Sequence, residues 1–238
     1  MDEKPKLIDI HTHIIPHVDD GASSFAESLE MLEIMIRDGI TDVILTPHVH
    51  SGATIAGREE QILQYRILQQ KAKDLDIKLY FGSELRYHQN LVIDYEANLM
   101  ANSNYLLIEF SWNTKTDVHS ILQALINRGY KPIVAHAERY SYLTMADYFK
   151  LKKAGSLIQV NAGAILGNER SSWQQVATSL MAEKLVDFIA SDTHNTTTRY
   201  PNLKQAYDYL KPSLSKKYLT DIFYNNALKI IKTDKTTI

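Results

Sequence analysis

The stretch Leu7-Ile8-Asp9-Ile10-His11-Thr12-His13 joins a short apolar run to two histidines that stand two positions apart. Nearly continuous apolar runs of this kind are typical of strands that are buried on both faces of a parallel sheet. On an extended strand end, residues two positions apart point to the same side, so both imidazoles face one place. The sequence therefore predicts a buried strand that ends at a pair of metal-binding residue types.

The same alternation, a β-rich run followed by an amphipathic helical segment, recurs along the whole chain. Strands are predicted over Leu7–Ile10, Asp42–Thr46, Lys78–Gly82, Tyr105–Ile108, Pro132–Ala135, Leu157–Val160 and Val186–Ala190. Helices are predicted over Ser24–Arg37, Arg58–Asp74, Val118–Arg128, Met145–Lys153, Ser172–Glu183 and the C-terminal segment Tyr218–Ile231. At the first helix, Ser23 or Ser24 with Glu27 resembles a capping box, and Gly39 is a suitable C-cap.

Polar residues that follow the predicted strands distinguish a closed barrel from an open sheet. They recur at intervals of 25 to 37 residues, the length of βα units: His11, His48, Glu84, Glu109, His136, Asn161 and Asp192. Six of these seven are His, Asp or Glu, which bind metals. The carboxyl ends of barrel strands converge on one bowl, where such enzymes keep their active sites, whereas an open sheet spreads its strand ends along a crevice. The pattern favours an α/β barrel.

The composition excludes several classes of protein. The 238 residues are 45% hydrophobic and 23% charged, as in ordinary globular proteins, and no long linker divides them, which predicts one domain over residues 1–238. The absence of cysteine excludes a disulfide framework, a thiolate zinc site and a cysteine nucleophile. A net charge of −2 argues against nucleic-acid binding. With no signal peptide and no run of ~18 apolar residues, we expect a cytoplasmic protein without membrane insertion.

Two pairs of metal-binding residues stand at the ends of the first and last predicted strands. Asp192-Thr193-His194 repeats the spacing of His11 and His13. Imidazoles and carboxylates without thiolates suit manganese, zinc, iron or magnesium, and several carboxylates among imidazoles favour more than one ion. Asp19-Asp20-Gly21 alone would be interpreted as a turn before an acidic helix N-terminus. Because this segment follows the histidine pair closely in the sequence, we instead predict that one of its carboxylates is a metal ligand.

Two arginines follow candidate ligands at short range. Arg139 comes three residues after His136, and Arg199 comes five residues after His194. A guanidinium fork beside metal ions suits a phosphate group, because two N–H groups match two phosphate oxygens. The alternative for each arginine is a solvated ion pair.

The remaining conspicuous residues are interpreted as structural. Four histidines are assigned to loops or helix surfaces: His17, His50, His88 and His119. Trp112 and Trp173 are compatible with the rim of the site, although their spacing decides nothing.

Six blocks of sequence resemble a known superfamily. Asp9-Ile10-His11-Thr12-His13-Ile14-Ile15-Pro16, continued by Asp19-Asp20-Gly21, resembles the first motif of the PHP (polymerase and histidinol phosphatase) superfamily. The later blocks resemble its CpsB/CapC-type branch, the manganese-dependent bacterial protein-tyrosine phosphatases of capsule and exopolysaccharide operons: Thr46-Pro47-His48, Gly82-Ser83-Glu84, Leu107-Ile108-Glu109-Phe110-Ser111, Ala135-His136-Ala137-Glu138-Arg139-Tyr140 and Ala190-Ser191-Asp192-Thr193-His194-Asn195. The resemblance runs in order from about residue 7 to residue 230.

The resemblance implies a distorted seven-stranded β/α (TIM-like) barrel of the PHP type that holds three divalent ions. Manganese is expected, with iron, zinc or magnesium as alternatives. The implied ligands are His11, His13, Glu84 and Asp192 for one ion, Glu84, Glu109 and His136 for a second, and Asp20, His48 and His194 for a third. Arg139 and Arg199 match the arginines that contact phosphate. The loop over residues 50–57 does not align, which leaves the substrate range open.

The implied activity is hydrolysis of phosphotyrosine on a partner protein. The expected partner is an autophosphorylating bacterial tyrosine kinase with a tyrosine-rich tail, which regulates capsular or exopolysaccharide biosynthesis. Hydroxide held between two ions would attack phosphorus in line, without a covalent phospho-enzyme. Three alternatives are a small-molecule phosphomonoesterase of the histidinol phosphatase type, a PHP nuclease and a metal-stabilised docking protein. The net charge of −2 argues against the nuclease, and the complete ligand set argues against the docking protein.

Overall fold

The computed structural model describes residues 5–49, 55–88 and 94–232. Its strands are β1 (Leu7–Thr12), β2 (Ile40–Leu45), β3 (His48–Val49), β4 (Lys78–Phe81), β5 (Glu84–Arg86), β6 (Tyr105–Glu109), β7 (Lys131–Val134), β8 (Leu157–Asn161) and β9 (Phe188–Ala190). They form a three-stranded sheet in the order β1-β2-β4 and a six-stranded sheet in the order β3-β5-β6-β7-β8-β9. Every pairing is parallel, which confirms the α/β class.

Two short interruptions separate the sheets. Thr46-Pro47 lies between β2 and β3, and Gly82-Ser83 lies between β4 and β5. Proline has no N–H to donate to a neighbouring strand, so the regular pairing stops there. Backbone hydrogen bonds still join the neighbouring segments at these interruptions. For example, the N–H of Gly82 donates to the carbonyl of Leu45 at 2.9 Å. Beyond the interruptions, His48 of β3 and Glu84 of β5 stand in register as neighbours.

The end of β1 is hydrogen-bonded to the segment that follows β9. The N–H of His13 donates to the carbonyl of Thr193 at 2.9 Å, and the N–H of Asp192 donates to the carbonyl of His11 at 3.0 Å. Thr12 and Thr193 form a parallel bridge. The two ligand pairs predicted at opposite ends of the chain are therefore adjacent in space.

The helices are α1 (Phe25–Arg37), α2 (Arg58–Lys71), α3 (Val118–Asn127), α4 (Met145–Ala154), α5 (Ala162–Leu166), α6 (Ser171–Ala182), α7 (Leu203–Leu210), α8 (Lys216–Thr220) and α9 (Asn226–Ile231). Short 3₁₀ turns cover Glu96–Asn98, Met100–Asn102 and Ala137–Arg139. At α1 the Ser24 hydroxyl accepts from the N–H of Glu27 at 3.2 Å, and Gly39 takes the left-handed backbone that follows the helix, with φ 86°. Both end signals of this helix were predicted.

The C-terminal segment differs from the single α-helix that the sequence predicts. A π-helical turn, Asp221–Asn225, separates α8 from α9 and carries the buried Ile222 and Phe223. The wider turn brings these two apolar side chains into the core. The sequence pattern also gave no sign of the short helices α5 and α7.

Apolar side chains pack on both faces of the strands. Along β6, Leu106 and Ile108 pack in the larger core with the surrounding helices, whereas Leu107 packs in a smaller core with Ile8 and Ile133 of neighbouring strands. This double burial explains the continuous apolar runs in the sequence. Among the described residues, no helix has the length and apolarity needed to cross a membrane. Residues 50–54, which include His50 and most of the unaligned loop, lie outside the described residues.

Candidate metal centre

The strand ends bring all nine predicted ligands into one site. Three groups each place one ligand atom per residue within 4.8 Å of the others: His13, Asp20, His48 and His194; His11, His13 and Asp192; and His48, Glu84 and Glu109. His136 belongs to none of these groups, but its Nε2 lies 2.8 Å from Glu84 Oε1. The groups share members, so the ligands form one connected cluster.

The histidine pair of β1 faces two carboxylates. His11 Nε2 lies 3.3 Å from Glu84 Oε2 and 3.4 Å from Asp192 Oδ1. His13 Nε2 has the same two neighbours at the same distances. All four side chains are buried, and they are the four that the resemblance assigns to one ion.

Glu84 lies at the centre of the cluster. Its Oε1 faces His136, whereas its Oε2 lies 2.8 Å from His48 Nδ1 and 3.3 Å from the histidine pair. Glu109 Oε1 lies 3.9 Å from His136 Nε2. The two oxygens of Glu84 therefore point to two different parts of the cluster, as a bridging ligand requires.

Asp20 marks the solvent side of the cluster. Its Oδ1 lies 3.4 Å from both His48 Nε2 and His194 Nε2, and its side chain is 62% exposed. The two imidazoles are largely buried. This third set of ligands is the one nearest to the solvent.

The donor atoms fit divalent cations. Four buried atoms of the cluster make no hydrogen bond within the described residues: His48 Nδ1, Glu84 Oε2, Glu109 Oε2 and His194 Nε2, the first two of which lie only 2.8 Å apart. An unsatisfied buried polar group costs about 1–3 kcal/mol, more when it is charged. Nitrogen and oxygen lone pairs that face each other need a proton or a cation between them. Imidazole and carboxylate donors without sulfur are those of manganese, iron, zinc or magnesium sites.

Without a cation, protons take up the excess negative charge. Burial alone would lower the pKa of His48, but the carboxylates of Glu84 and Asp20 together outweigh burial and raise that pKa to about 10. Burial also works against ionisation of Glu84, yet His11 and His48 hold its pKa well below the usual range. Burial, with the nearby charge of Glu84, raises the pKa of Glu109 to about 7. The buried carboxylates of the cluster therefore need positive charge nearby, either from protonated histidines or from bound cations.

Two further residues support the candidate ligands. Asp19, treated as an alternative to Asp20, is buried, and its Oδ2 lies 2.8 Å from His13 Nδ1. Gln159 Oε1 lies 3.1 Å from His11 Nδ1 and accepts the N–H of His136 at 2.7 Å. An acceptor at Nδ1 fixes the imidazole with Nε2 facing the cluster, the usual arrangement around metal-binding histidines. Gln159 was not predicted from the sequence. The available signal for its role was its position two residues before Asn161, at the end of β8.

Two of the candidate ligands have a left-handed backbone. The φ angle is 31° at His136 and 53° at Asp192. Such values are uncommon outside glycine and cluster at functional sites, where the surrounding structure holds them. They turn the chain at the ends of β7 and β9 and direct both side chains into the cluster.

Both predicted arginines converge on one carboxylate. Asp192 Oδ2 lies 3.0 Å from Arg139 Nη2 and 2.7 Å from Arg199 Nη2, and it accepts from Asn161 Nδ2 at 2.8 Å. Arg139 also pairs with Glu169 at 3.3 Å. These residues, with Trp173 and Tyr200, line a cavity of about 230 Å³ beside the ligand cluster.

Of the histidines assigned to loops and helix surfaces, two lie clearly apart from the cluster. The ring of His17 packs edge-on against Phe25, and His119 Nε2 lies 3.9 Å from Asp147 Oδ1. Neither belongs to a ligand group.

Comparison with known proteins gives one consistent result. The model of the family "Capsular polysaccharide synthesis, CpsB/CapC" matches residues 7–232. Tyrosine-protein phosphatase CpsB of Streptococcus agalactiae serotype V is 30% identical over 239 residues, which cover 95% of this chain and 98% of that protein. Tyrosine-protein phosphatase YwqE of Bacillus subtilis is 29% identical over 212 residues, 84% of this chain and 82% of that protein.

A solved structure supports the same relationship. It comes from the pair YwqE of B. subtilis and CpsB of Streptococcus pneumoniae, which are described as unique metal-dependent tyrosine phosphatases. The two folds match with a TM-score of 0.86 at 25% identity, over 97% of this chain and 96% of the other. Because the family model and these relatives span nearly the whole chain, this protein belongs to the CpsB/CapC family of capsular polysaccharide synthesis proteins.

Proposed function

We propose that this protein is a metal-dependent protein-tyrosine phosphatase. The observation that carries the proposal is the convergence of Arg139 and Arg199 on Asp192, at the edge of a cluster of nine imidazole and carboxylate side chains. Two guanidinium groups beside a cation cluster form a site for a phosphate monoester. The relatives named above as tyrosine-protein phosphatases support phosphotyrosine as the substrate.

We infer that the cluster holds three divalent ions, with manganese as the expected metal. The three ligand groups, together with the 2.8 Å approach of His136 to Glu84, support the ligand assignment that the resemblance implies. Bound ions of this kind supply positive charge for the phosphate and make hydroxide available near neutral pH. Asp19 and Gln159 orient the imidazoles of His13 and His11 for this purpose.

The arginines would bind the non-bridging phosphate oxygens. Asp192 and Glu169 hold the Arg139 guanidinium beside the cavity, and its charge opposes the charge that develops on phosphorus-bound oxygen in the transition state. The tyrosyl group leaves as a phenolate, whose conjugate acid has a pKa of about 10, so departure requires less assistance than that of a serine alkoxide. No nucleophilic side chain is needed, in keeping with the absence of cysteine.

We also propose that the two sheets close into one distorted seven-stranded β/α barrel of the PHP type. In this view β2 with β3, and β4 with β5, are single strands interrupted once each. Backbone hydrogen bonds across both interruptions support this, as do those that join His11 and His13 to the segment after β9. The ligands would then lie around one bowl at the carboxyl ends of the strands.

The physiological substrate proposed is the phosphorylated, tyrosine-rich tail of a bacterial tyrosine kinase that regulates polysaccharide synthesis, with the phosphatase acting in the cytoplasm. The family description, capsular polysaccharide synthesis, supports this pathway.

Phosphate release from a phosphotyrosine peptide tests the function. Protein stripped by a chelator and resupplied with manganese is compared on this peptide and on histidinol phosphate. We expect manganese-dependent release from the peptide, loss of it in His136→Ala, and retention in the matched control His119→Ala on α3. Turnover of histidinol phosphate alone would favour the small-molecule phosphomonoesterase. Metal binding without turnover of either substrate would favour a docking protein.

A further inference from the structure

Two tryptophans and two arginines form a continuous stack beside the phosphate site. The Arg139 guanidinium carbon lies 5.1 Å from the centroid of the Trp173 ring. The guanidinium carbon of Arg170 lies 5.0 Å from the centroid of the same Trp173 ring and 5.1 Å from that of Trp112. The two indole rings meet edge to face at 6.2 Å.

The stack runs from the cavity to the surface. Trp173, near the start of α6, is half-buried and lines the cavity together with Arg139 and Arg199. Arg170, the residue before α6, is exposed, and Trp112, in the loop after β6, is 37% exposed. Arg170 and Trp112 therefore offer exposed surface that a polypeptide can contact when its phosphotyrosine enters the cavity.

The two arginines of the stack differ in their ion pairs. Arg139 is paired with Asp192 and Glu169, whereas Arg170 forms no ion pair with any residue in the ranges 5–49, 55–88 and 94–232. A guanidinium that stacks on aromatic rings keeps its in-plane N–H groups available. Those N–H groups match a carboxylate in a two-point hydrogen bond. Stacking thus orients the Arg170 guanidinium, and no ion pair within the described residues neutralises its charge.

The geometry points to a subsite, formed by Trp112, Arg170 and Trp173, that selects phosphotyrosine polypeptides carrying an Asp or Glu side chain close to the phosphotyrosine. This inference rests on the proposed function. The guanidinium carbons of Arg139 and Arg170 both lie about 5 Å from the centroid of the Trp173 ring, so they are at most about 10 Å apart. An extended chain advances about 3.3 Å per residue, so a carboxylate within three residues of the phosphotyrosine reaches Arg170.

A purely supporting role for the stack makes a different prediction. If Arg170 served only to hold Trp173 against Arg139, its replacement would change the rates on all phosphotyrosine substrates by the same factor. A subsite instead changes the ratio between substrates that differ only in the flanking charge. The ratio is therefore the quantity to measure.

The first experiment compares peptides that carry Glu, Gln or Lys within three residues of phosphotyrosine, with the manganese-loaded enzyme and free phosphotyrosine as the reference. We expect kcat/KM to be higher for Glu than for Lys by on the order of three- to tenfold, and the difference to shrink in high salt. Arg170→Glu should reverse the order. Arg66→Glu, the same charge change at an exposed position on α2, should leave the wild-type ratio intact.

Peptide binding separates this inference from the proposed activity. Trp112 and Trp173 are the only tryptophans in the chain, so tryptophan fluorescence, excited selectively over that of tyrosine, reports on the subsite directly. Peptides with a non-hydrolysable phosphonate in place of the phosphate are titrated into the manganese-loaded protein. Tighter binding of the Glu peptide, lost in Arg170→Glu, supports the subsite even if turnover fails. Equal binding of the Glu and Lys peptides, or an equal change for both in Arg170→Glu, would overturn it.

Discussion

Asp192 Oδ2 lies 2.7 Å from Arg199 Nη2, while Asp192 Oδ1 faces the histidine pair of β1. One oxygen of this carboxylate thus orients a guanidinium, and the other faces the cluster of candidate metal ligands. In the proposed enzyme this fixes the distance between the phosphate-binding group and the metals. Proximity of this kind is how an active site avoids the entropic cost of assembling its reacting groups.

Replacement of Arg199 by lysine tests the need for a guanidinium. Arg199→Lys keeps the charge but loses the planar fork that pairs with two phosphate oxygens. We expect kcat/KM for a phosphotyrosine peptide to fall roughly 10- to 100-fold, with unchanged metal content by elemental analysis. Arg66→Lys on α2 serves as the control. Full activity in Arg199→Lys would show that this arginine does not bind the phosphate through its fork.

Gln159 is expected to set the metal affinity through His11. Gln159→Leu removes the acceptor 3.1 Å from His11 Nδ1 with little change in volume. Loss of such a partner typically weakens metal binding 10- to 100-fold, and we expect this range for manganese by titration calorimetry. Gln123→Leu, at an exposed position on α3, should bind manganese like the wild type. An unchanged manganese affinity in Gln159→Leu would contradict the orienting role.

Metal binding should release protons near neutral pH. In the metal-free protein the pKa of Glu109 is raised to about 7 and that of His48 to about 10, so both hold protons at pH 6. Ligands must be deprotonated to bind a metal. Manganese affinity should therefore rise with pH above 6, and proton release should diminish once the pH exceeds 7 and Glu109 is already ionised. Calorimetry in buffers of different ionisation enthalpy measures this release, and its absence at pH 6 would argue against these ligands.

Tyr140 is predicted to stabilise the fold beside the cluster. Its buried hydroxyl accepts from the N–H of Phe110 at 3.0 Å and lies 3.1 Å from the carbonyl of Ala135. Tyr140→Phe leaves that N–H buried without its partner, which should lower the free energy of unfolding by about 1–3 kcal/mol in urea denaturation. Tyr209→Phe, at a residue that is 60% exposed, should change it by less than about 0.5 kcal/mol. Equal stability of the two variants would refute the prediction.

The strands and the proximity of the ligands were predictable from the sequence because both depend on simple patterns. Apolar runs such as Leu7–Ile10 are continuous since both faces of each strand are buried. Polar residues at the ends of parallel strands must lie at one edge of the sheet. The family resemblance added the pairing of particular residues with particular ions, which stays a prediction.

Other features depend on tertiary contacts that leave little trace in a local pattern. The π-helical turn at Asp221–Asn225 is one case, because the same apolar residues suit an ordinary helix. Gln159 is another, since a neutral amide near a strand end has no specific signature until His11 is placed beside it. The stack of Arg139, Trp173 and Arg170 joins residues from two separate segments of the chain. Their contact depends on the tertiary structure, so no local sequence pattern predicts it.

The left-handed backbone at His136 and Asp192 has an evolutionary consequence. A non-glycine residue held in this conformation costs of order 1 kcal/mol or more. Glycine at either position would relieve that cost but would remove a candidate metal ligand. Selection for thermal stability alone should therefore favour glycine at these positions, and in the proposed enzyme such variants would lose phosphatase activity. Laboratory evolution of a more thermostable protein will need an activity screen at every round, and stabilising substitutions should be sought away from these two residues.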